Sequence, residues 1–381
     1  MAPRFLTVFA VLGVILAGAP IASAEPDLAQ RLDAAVTAKL AEMGAPGVIV
    51  GISVPGQIDY VRAFGVADTA TGEPMSIDDH TRIGSVTKTF TGTAVLQLVD
   101  QGRVSLSDPI SRYVDGVPNG DVITLDMLGR MRSGLFDYSK DEAAFVGPVY
   151  AESPKGPDAF AFTPQQLLAV AFAHPPNFAP NAEYEYSNTN AVLLALVVER
   201  VTGMPFGAYL QQHLFDPVGL TQTSYPPNGA MPAPFAHGYT PAPDGRTVDA
   251  TFWNPLWADA AGRIVSTYAD QRAWAAALGS GALVSPATQS ARLANLTSVV
   301  PGVGYGFAIF EAHGWIGHNG DIPGYATVTV YLPERNATLV VMVNDDGPEP
   351  HSAGQIATVV TELVTPDHVY RLAGAAPTQG S

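Results

Sequence analysis

The sequence predicts a mixed α+β fold, with one antiparallel sheet built from both ends of the chain and a mostly helical lobe built from its middle. Segments rich in Val, Ile and Tyr cluster near the two ends, and helical periodicity dominates between them. Each strand-rich end is too small to form a stable open sheet alone, so we expect the two ends to pair. A cleft between the sheet and the helical lobe is then the natural place for a functional site.

The N-terminal part predicts a helix followed by a β-hairpin. Apolar residues recur at helical spacing from Asp27 to Met43, and the segment Gly44 to Pro46 ends this helix. Two strand-like segments follow, Gly47 to Val54 and Ile58 to Gly65. Pro55-Gly56 between them is a typical turn sequence, which favours a hairpin.

The C-terminal part predicts the remaining strands and a last helix from about His351 to Val364. A turn at Pro333 to Asn336 separates the last two strands. The predicted strands are Gly304 to Ala312, Gly314 to Gly317, Tyr325 to Leu332 and Thr338 to Val343. Between the two ends, the predicted helices are Val86 to Gln101, Pro164 to Ala173, Asn190 to Val201, Phe206 to Leu214 and Tyr268 to Leu278.

Composition restricts the classes of function. The 381 residues are 47% hydrophobic and 14% charged, which indicates a folded domain and excludes a disordered chain. A net charge of −16 makes a nucleic-acid partner unfavourable. The absence of cysteine excludes disulfides, thiolate metal sites and a cysteine nucleophile. The sequence contains no metal-binding histidine pair, no phosphate-binding loop, no dinucleotide-binding motif and no G-x-S-x-G nucleophile elbow. We therefore expect no cofactor or metal, and a small-molecule or peptide substrate.

Residues 1–24 have the pattern of a secretory signal peptide. Arg4 supplies the positive start, Phe5 to Leu16 the apolar core, and Ala22-Ser23-Ala24 a small-residue cleavage site. The apolar run is short for a membrane anchor, which is the alternative. We expect cleavage near Ala24 and a protein that is secreted or held in the cell envelope, without a stable membrane span. One domain is expected at 25–366, with a sheet lobe at about 25–80 and 262–366, a helical lobe at about 81–261 and a disordered tail at 367–381.

Ser85 and Lys88 are the first candidates for chemistry. They stand three residues apart at the start of a predicted helix, so their side chains share one face. A serine hydroxyl needs a base to act as a nucleophile, and a lysine whose ammonium form is destabilised by burial can be that base. The helix start also directs backbone N–H groups at an anion formed on the substrate. The alternative is a helix-capping serine beside a solvated lysine, yet the residues around Lys88 are apolar.

Two further polar groups come later in the chain. In the first, the hydroxyl of Tyr186 can relay a proton and the amide of Asn188 can hold a substrate amide. The alternative is a loop in which an asparagine caps the helix that follows. The second is His318-Asn319-Gly320, where the glycine lets a ligand approach a strand edge and the histidine can meet an anion. The alternative there is a tight turn with a surface histidine.

Taken in order, Ser-x-x-Lys, Tyr-Ser-Asn and His-Asn-Gly resemble the motifs of the penicillin-recognising serine hydrolases. The most similar branch holds class C β-lactamases, D-alanyl-D-alanine carboxypeptidases and related esterases. The resemblance covers roughly 28–364 and extends to the segments 101–109, 123–135 and 261–267. It implies an α/β (α+β) fold of the β-lactamase/transpeptidase type, with an antiparallel sheet flanked by helices beside a helical lobe.

The resemblance also implies roles for single residues. Ser85 matches the nucleophile, Lys88 its base partner, Tyr186 the proton relay and Asn188 the amide that holds the substrate. The oxyanion hole would then consist of the backbone N–H groups of Ser85 and Asp321.

His318-Asn319-Gly320 matches the strand motif that is Lys-Thr-Gly in class C β-lactamases and His-Thr-Gly in some carboxypeptidases. This chain departs from the pattern at Asn319 and in the acid Asp321, which could repel a substrate carboxylate. A histidine of ordinary pKa is charged only in part near pH 7. For acidic substrates, kcat/KM is therefore expected to depend on an extra ionisation near neutrality, that of His318.

These observations lead us to expect a secreted serine hydrolase that acts through an acyl-enzyme on amides or esters. Peptides resembling D-Ala-D-Ala rank first as substrates, small esters second and β-lactams third. One alternative is a class C-type β-lactamase, and another is a catalytically silent binding protein on the same scaffold. The presence of Ser85, Lys88 and Tyr186 together argues against the silent protein, which has no chemical need for all three.

Overall fold

A computed structural model describes residues 27–347 and 352–372. The predicted signal segment lies outside these residues, as does His351 at the start of the last predicted helix. The strands are β1 Gly47–Val54, β2 Ile58–Asp68, β3 Glu73–Pro74, β4 Thr81–Arg82, β5 Tyr239–Pro241, β6 Thr247–Asp249, β7 Val265–Ser266, β8 Thr297–Val300, β9 Val303–Tyr305, β10 Phe310–Ala312, β11 Trp315–Ile322, β12 Tyr325–Leu332 and β13 Ala337–Val343. The α-helices are α1 Leu28–Met43, α2 Thr87–Asp100, α3 Leu125–Gly129, α4 Pro148–Glu152, α5 Pro164–Phe172, α6 Asn188–Thr202, α7 Phe206–Leu210, α8 Asp216–Val218, α9 Asp259–Gly262, α10 Tyr268–Ser280, α11 Pro286–Leu293 and α12 Ser352–Val364.

The central sheet joins the two ends of the chain. In the described residues it has nine strands in the order β3-β2-β1-β13-β12-β11-β10-β9-β8, and neighbouring strands run antiparallel. The junction is the pair β1 and β13, where Val48 stands opposite Val343. This architecture confirms the predicted α+β class and the predicted pairing of the chain ends.

Each face of the sheet packs against its own hydrophobic core. Side chains alternate along a strand, so neighbouring residues enter different cores. On β1, Ile49 enters the core shared with the helical lobe, whereas Val48 and Val50 enter the opposite core. Helices α1 and α12 supply residues such as Leu32 and Ile356 to that opposite core. Helix α10 lies on the helical-lobe side, next to β12 and β13.

Helix α2 runs through the centre of the helical lobe. Every residue from Thr87 to Leu96 is buried, so this helix has no solvent-facing stripe over its first turns. Phe90 stacks on Trp274 with ring centroids 3.7 Å apart and meets the edge of Phe215 at 5.7 Å.

In the described parts of the chain, no single helix is long and apolar enough to cross a bilayer. One helix pair, bent by 79°, reaches that length and hydropathy only when its two helices are counted together.

The structure differs from the predicted elements at three places. The predicted strand 304–312 is a hairpin of β9 and β10, because Ala308 takes a left-handed conformation between them with φ of 53°. Strand β11 continues to Ile322, since its pairing with β12 runs to the turn at Pro323-Gly324. The part of the predicted tail as far as 372 packs on the fold, where Tyr370 is buried and its N–H donates to Thr361 Oγ1 at 3.0 Å.

Candidate active site

Ser85 lies in a tight turn that leads directly into α2. Residues Gly84–Val86 form one turn of 3-10 helix, and no side chain caps either this turn or the start of α2. The capping alternative for Ser85 is therefore wrong. Gly84 has a φ of +48°, a conformation that favours glycine, and a methyl group there would lie 2.8 Å from the backbone nitrogen of Asp321. The turn thus brings Ser85 against strand β11.

Lys88 is buried and holds the Ser85 hydroxyl. Its Nζ donates hydrogen bonds to Ser85 Oγ at 3.0 Å, Asn188 Oδ1 at 2.7 Å and the backbone oxygen of Ala261 at 2.9 Å. Burial lowers the pKa of Lys88 to about 7, and the negative charge of Asp137 opposes that shift. The solvated-lysine alternative is wrong, because the side chain is 1% exposed. At neutral pH a substantial fraction of this amine is unprotonated and can accept the serine proton.

Tyr186 stands beside the same amine. Lys88 Nζ lies 4.7 Å from the centre of the Tyr186 ring. Burial raises the pKa of Tyr186 well above its usual value, and the neighbouring Ser85 hydroxyl acts in the opposite direction. The buried Tyr186 hydroxyl forms no hydrogen bond of normal geometry in the structure. Tyr186 is therefore protonated at neutral pH and suited to pass a proton onward rather than to act as a tyrosinate base.

Asn188 connects Lys88 with residues that the sequence did not identify. Its Oδ1 accepts from Lys88, and its Nδ2 donates to Asp137 Oδ2 at 3.2 Å and to Ser139 Oγ at 3.0 Å. Asn188 does not cap α6 with its side chain, since the cap position is Ser187 without a side-chain bond. Both protons of the amide nitrogen are thus used inside the protein, and the side chain orients Lys88.

Sequence reasoning missed Asp137 and the carbonyl of Ala261. Asp137 follows the segment 123–135 that carried part of the family resemblance, and Ala261 begins the segment 261–267. Both segments therefore marked a functional neighbourhood, but a backbone carbonyl has no sequence signature. The carbonyl of Ala261 reaches Lys88 because α9 packs against α2, where Thr91 Oγ1 also donates to Ala260 O at 2.7 Å.

The backbone of β11 forms the opposite wall beside Ser85. A methyl group on Gly320 would lie 2.0 Å from the oxygen of Ile83 and 2.7 Å from the nitrogen of Ser85, so only a glycine leaves room for the serine turn. Pairing of β10 with β11 ends at Gly317. Beyond that residue, the β10 side of β11 has no paired strand in the described chain, so a substrate can approach the strand edge there. A methyl group on Gly320 would thus lie near Ser85 N, as one on Gly84 would lie near Asp321 N, so the two amides predicted to form the oxyanion hole belong to backbone segments in close contact.

His318 is buried within β11 rather than placed in a surface turn. Its Nδ1 lies within hydrogen-bond distance of the Asn319 oxygen, and its Nε2 lies 3.2 Å from the hydroxyl of Tyr305. One neutral tautomer satisfies both contacts, with Nδ1 donating and Nε2 accepting. Burial, followed by the positive charges of Lys88 and Arg292, lowers the pKa of His318 to about 3. The expected ionisation of His318 near neutrality is therefore wrong, because burial keeps the ring neutral.

The side chains of Asn319 and Asp321 face away from Ser85. Along β11, Ile316 enters the core on the helical-lobe side and Trp315 enters the opposite core. Alternation then places His318 and Gly320 on the side of Ser85, and the other two side chains on the opposite face. There, Asn319 Nδ2 donates to Asp321 Oδ2 at 3.2 Å. Among the predicted binding residues, Asp321 thus contributes its backbone rather than its carboxylate.

Replacing Gly320 with alanine should lower kcat on an ester by about 100-fold, because the new methyl group must push β11 away from the Ser85 amide. Gly147→Ala is the matched control, since a methyl group there would have its nearest neighbour, the Glu142 oxygen, at 3.5 Å. Steady-state kinetics and thermal unfolding of both variants check this expectation. A Gly320→Ala enzyme with unchanged kcat would contradict the placement of the oxyanion hole.

Comparison with known proteins identifies the family of this chain. The family model described as Beta-lactamase matches residues 32–360. The chain is 33% identical over 220 residues to Esterase EstB from Burkholderia gladioli, and the match spans 56% of this chain and about half, 55%, of the esterase. It is 26% identical over 306 residues to the putative penicillin-binding protein PbpX from Bacillus subtilis, covering 80% of this chain and 72% of that protein.

Solved structures of similar shape cover almost the whole fold. The D-stereospecific amidohydrolase from Streptomyces sp. has a TM-score of 0.77 and 29% identity, covering 90% of this chain and 99% of that chain. The D-amino acid amidase from Ochrobactrum anthropi SV3, complexed with L-phenylalanine amide, has a TM-score of 0.77 and 27% identity. That match covers 90% of this chain and 97% of that chain. The family predicted from the three motifs is thereby confirmed. Since the family match spans most of the fold and the relatives include an esterase and amide hydrolases, the chain belongs to the beta-lactamase family and is a serine hydrolase.

Proposed function

We propose that the protein hydrolyses small esters and amides, including amides of D-amino acids, through an acyl-enzyme on Ser85. Substrates whose binding depends on recognition of their own carboxylate group are expected to react poorly. The observation that carries this preference is the state of His318, which is buried and neutral where class C β-lactamases have a lysine. The strand therefore offers no cation at that position to a substrate carboxylate.

The geometry supports a stepwise reaction. Neutral Lys88 accepts the proton of Ser85 Oγ as that oxygen attacks the substrate carbonyl, and the N–H groups of Ser85 and Asp321 stabilise the oxyanion. The carbon–leaving-group bond then breaks, and Tyr186 passes the proton to the departing alkoxide or amine. In the second half, water attacks the acyl carbon and gives a proton to Lys88. The bond from that carbon to Ser85 Oγ then breaks, the proton passes from Lys88 to Ser85 Oγ, and the acid is released.

The amide and ester hydrolases among the similar proteins support amide and ester chemistry. The amidohydrolase and the amidase align over nine tenths of this chain. The esterase aligns over a shorter stretch at higher identity. A D-alanyl-D-alanine carboxypeptidase activity, ranked first from the sequence, becomes the second candidate, because its substrates end in a carboxylate.

A panel of substrates tests the proposal at about pH 8, where most of Lys88 is neutral. p-Nitrophenyl acetate, p-nitrophenyl butyrate and D-phenylalanine amide are compared with nitrocefin and a D-Ala-D-Ala peptide. We expect kcat/KM for the best ester or amide to exceed that for either carboxylate substrate by about 100-fold, which is the effect of one missing charge-assisted hydrogen bond. L-phenylalanine amide reports the stereochemical preference. Faster turnover of nitrocefin or of the peptide than of every ester and amide would contradict the proposal.

We also propose that the enzyme works outside the cytoplasm, secreted or within the cell envelope. The support is the composition of residues 1–24, with Arg4 before an apolar run and a small-residue cleavage site after it.

A further inference from the structure

Asp137 reaches the catalytic lysine through the side chain of Asn188. The carboxylate is 3% exposed, and its oxygens accept from the backbone N–H of Ser139 at 3.1 Å and from Ser139 Oγ at 2.9 Å. Asn188 Nδ2 donates to the same carboxylate at 3.2 Å, while Asn188 Oδ1 accepts from Lys88 Nζ at 2.7 Å. A continuous chain of hydrogen bonds therefore runs from Asp137 to the amine that holds the nucleophile.

This series of hydrogen bonds fixes which end of the Asn188 amide faces Lys88. An ionised carboxylate can only accept hydrogen bonds, so the group turned toward Asp137 must be the donating nitrogen. Ser139 Oγ already donates its proton to Asp137 and is likewise an acceptor for Asn188. The amide oxygen is left for Lys88. A flipped amide would place N–H groups against the ammonium form of Lys88 and would release the amine from its present position.

Asp137 also acts on Lys88 by its charge. Burial disfavours the ammonium form, and the carboxylate of Asp137 favours it. No salt bridge joins Asp137 to a cation in the parts of the chain that the structure describes. Its negative charge in this buried region is therefore not cancelled by another ion pair.

The other titratable groups around Lys88 are either neutral or bonded to partners other than Lys88. Tyr186 is protonated and His318 is neutral, because both are buried. On α9, burial raises the pKa of Asp259, whose carboxylate accepts from the Tyr225 hydroxyl at 2.5 Å and lies 3.5 Å from Arg263. Asp137 is thus the acid that hydrogen bonds connect to the lysine, through the side chain of Asn188.

We propose that Asp137 is a positioning residue, which fixes the Asn188 amide and, through that amide and its own negative charge, governs the Lys88 amine. The inference rests on the proposed roles of Ser85 as nucleophile and Lys88 as base, and it is independent of the substrate class. It assigns to the segment after 123–135 a part in catalysis that none of the motifs predicted.

The test is the rate at which a fluorophosphonate labels the protein, measured by intact mass between about pH 5 and 9. In this reaction Ser85 Oγ forms a bond to phosphorus, fluoride leaves and the serine proton goes to Lys88. The wild-type rate should rise with pH through about 7, because Lys88 must lose its proton to act as a base. Asp137→Asn removes the charge, so its midpoint should move down by about one pH unit. Its plateau should fall by about 10- to 100-fold, because the Asn188 amide is no longer held in one orientation.

Three further variants make the result specific. Asp137→Glu keeps the charge and should keep the midpoint near the wild-type value. Asp141→Asn is the matched control and should not move it, since that nearby carboxylate bonds to Ala143, Ala144 and His174 rather than to the lysine network. Asp137→Ser removes the charge without adding an amide and gives the same test if Asp137→Asn fails to fold.

An unchanged or higher midpoint in folded Asp137→Asn and Asp137→Ser would overturn the inference, however far the labelling rate falls. Labelling of Ser85→Ala would instead overturn the proposed function. The two failures therefore appear in different variants.

Discussion

Replacing Ser85 with alanine is expected to reduce kcat/KM on an ester by about 10⁵-fold or more, because the proposed acyl-enzyme forms on the Ser85 hydroxyl. The fold should be retained. Ser85 caps no helix, and its hydroxyl accepts a hydrogen bond from Lys88. The loss of one such bond costs about 1 kcal/mol, so the melting temperature should change by no more than about 3 °C.

The control for this substitution is Ser107→Ala, which removes an exposed hydroxyl bonded to Ser105 Oγ. Its kinetics should match those of the wild type. Steady-state assays and thermal unfolding of the two variants give the comparison. A folded Ser85→Ala enzyme that keeps even a hundredth of the activity would mean that another residue is the nucleophile.

Lys88→Met should lower the rate of acylation by about 10³-fold or more, since the methionine fills similar space but cannot accept a proton. Tyr186→Phe should lower it by about 10²-fold, because the ring remains while the proton relay is lost. Lys88 Nζ lies 4.7 Å from the centre of the Tyr186 ring and donates to Ser85 Oγ, so we expect the two residues to share one proton path. The double variant should therefore be close to Lys88→Met alone.

Single-turnover measurements of acyl-enzyme formation provide the rates for these three variants. If the losses of the single variants multiply in the double variant, the two residues act independently, which would contradict a shared proton path. Substrate binding, measured from the concentration dependence of the same traces, should change much less than the rate in each variant.

The contact between Ser85 and Lys88 was predictable because it depends on local spacing. Ser85 and Lys88 share a helical face at a separation of three residues, and the structure places them 3.0 Å apart. Lys88 meets Asn188, which is 100 residues away in the chain, because α2 packs against α6. The sequence could suggest that contact only through the order of the three family motifs.

The protonation state of His318 was not predictable in the same way. A histidine on a strand can be exposed and partly charged, and the sequence shows nothing of what covers it. In the fold, Phe310 packs 4.7 Å from the imidazole ring and Tyr305 bonds to Nε2. Burial by these neighbours, together with the charge of Lys88, decides that the ring is neutral.

The length and register of β11 explain why the predicted positions of the strand end and of the Asp321 side chain differ from those in the structure. The sequence indicated a step between strands at His318, whereas pairing with β12 carries β11 on to Ile322. Because side chains alternate along a strand, this extension turns the carboxylate of Asp321 to the opposite face and leaves its backbone beside the serine turn. Asp137 was missed for a related reason, since its role depends on the orientation of a distant amide.

The most direct test of the central claim is to locate the covalent adduct itself. The wild-type protein is incubated with a fluorophosphonate, digested and mapped by tandem mass spectrometry. We expect one adduct, on Ser85, formed faster as the pH rises through about 7, when Lys88 loses its proton. An adduct on any other serine, or the absence of an adduct in a protein that hydrolyses esters, would contradict the role of Ser85 as the nucleophile.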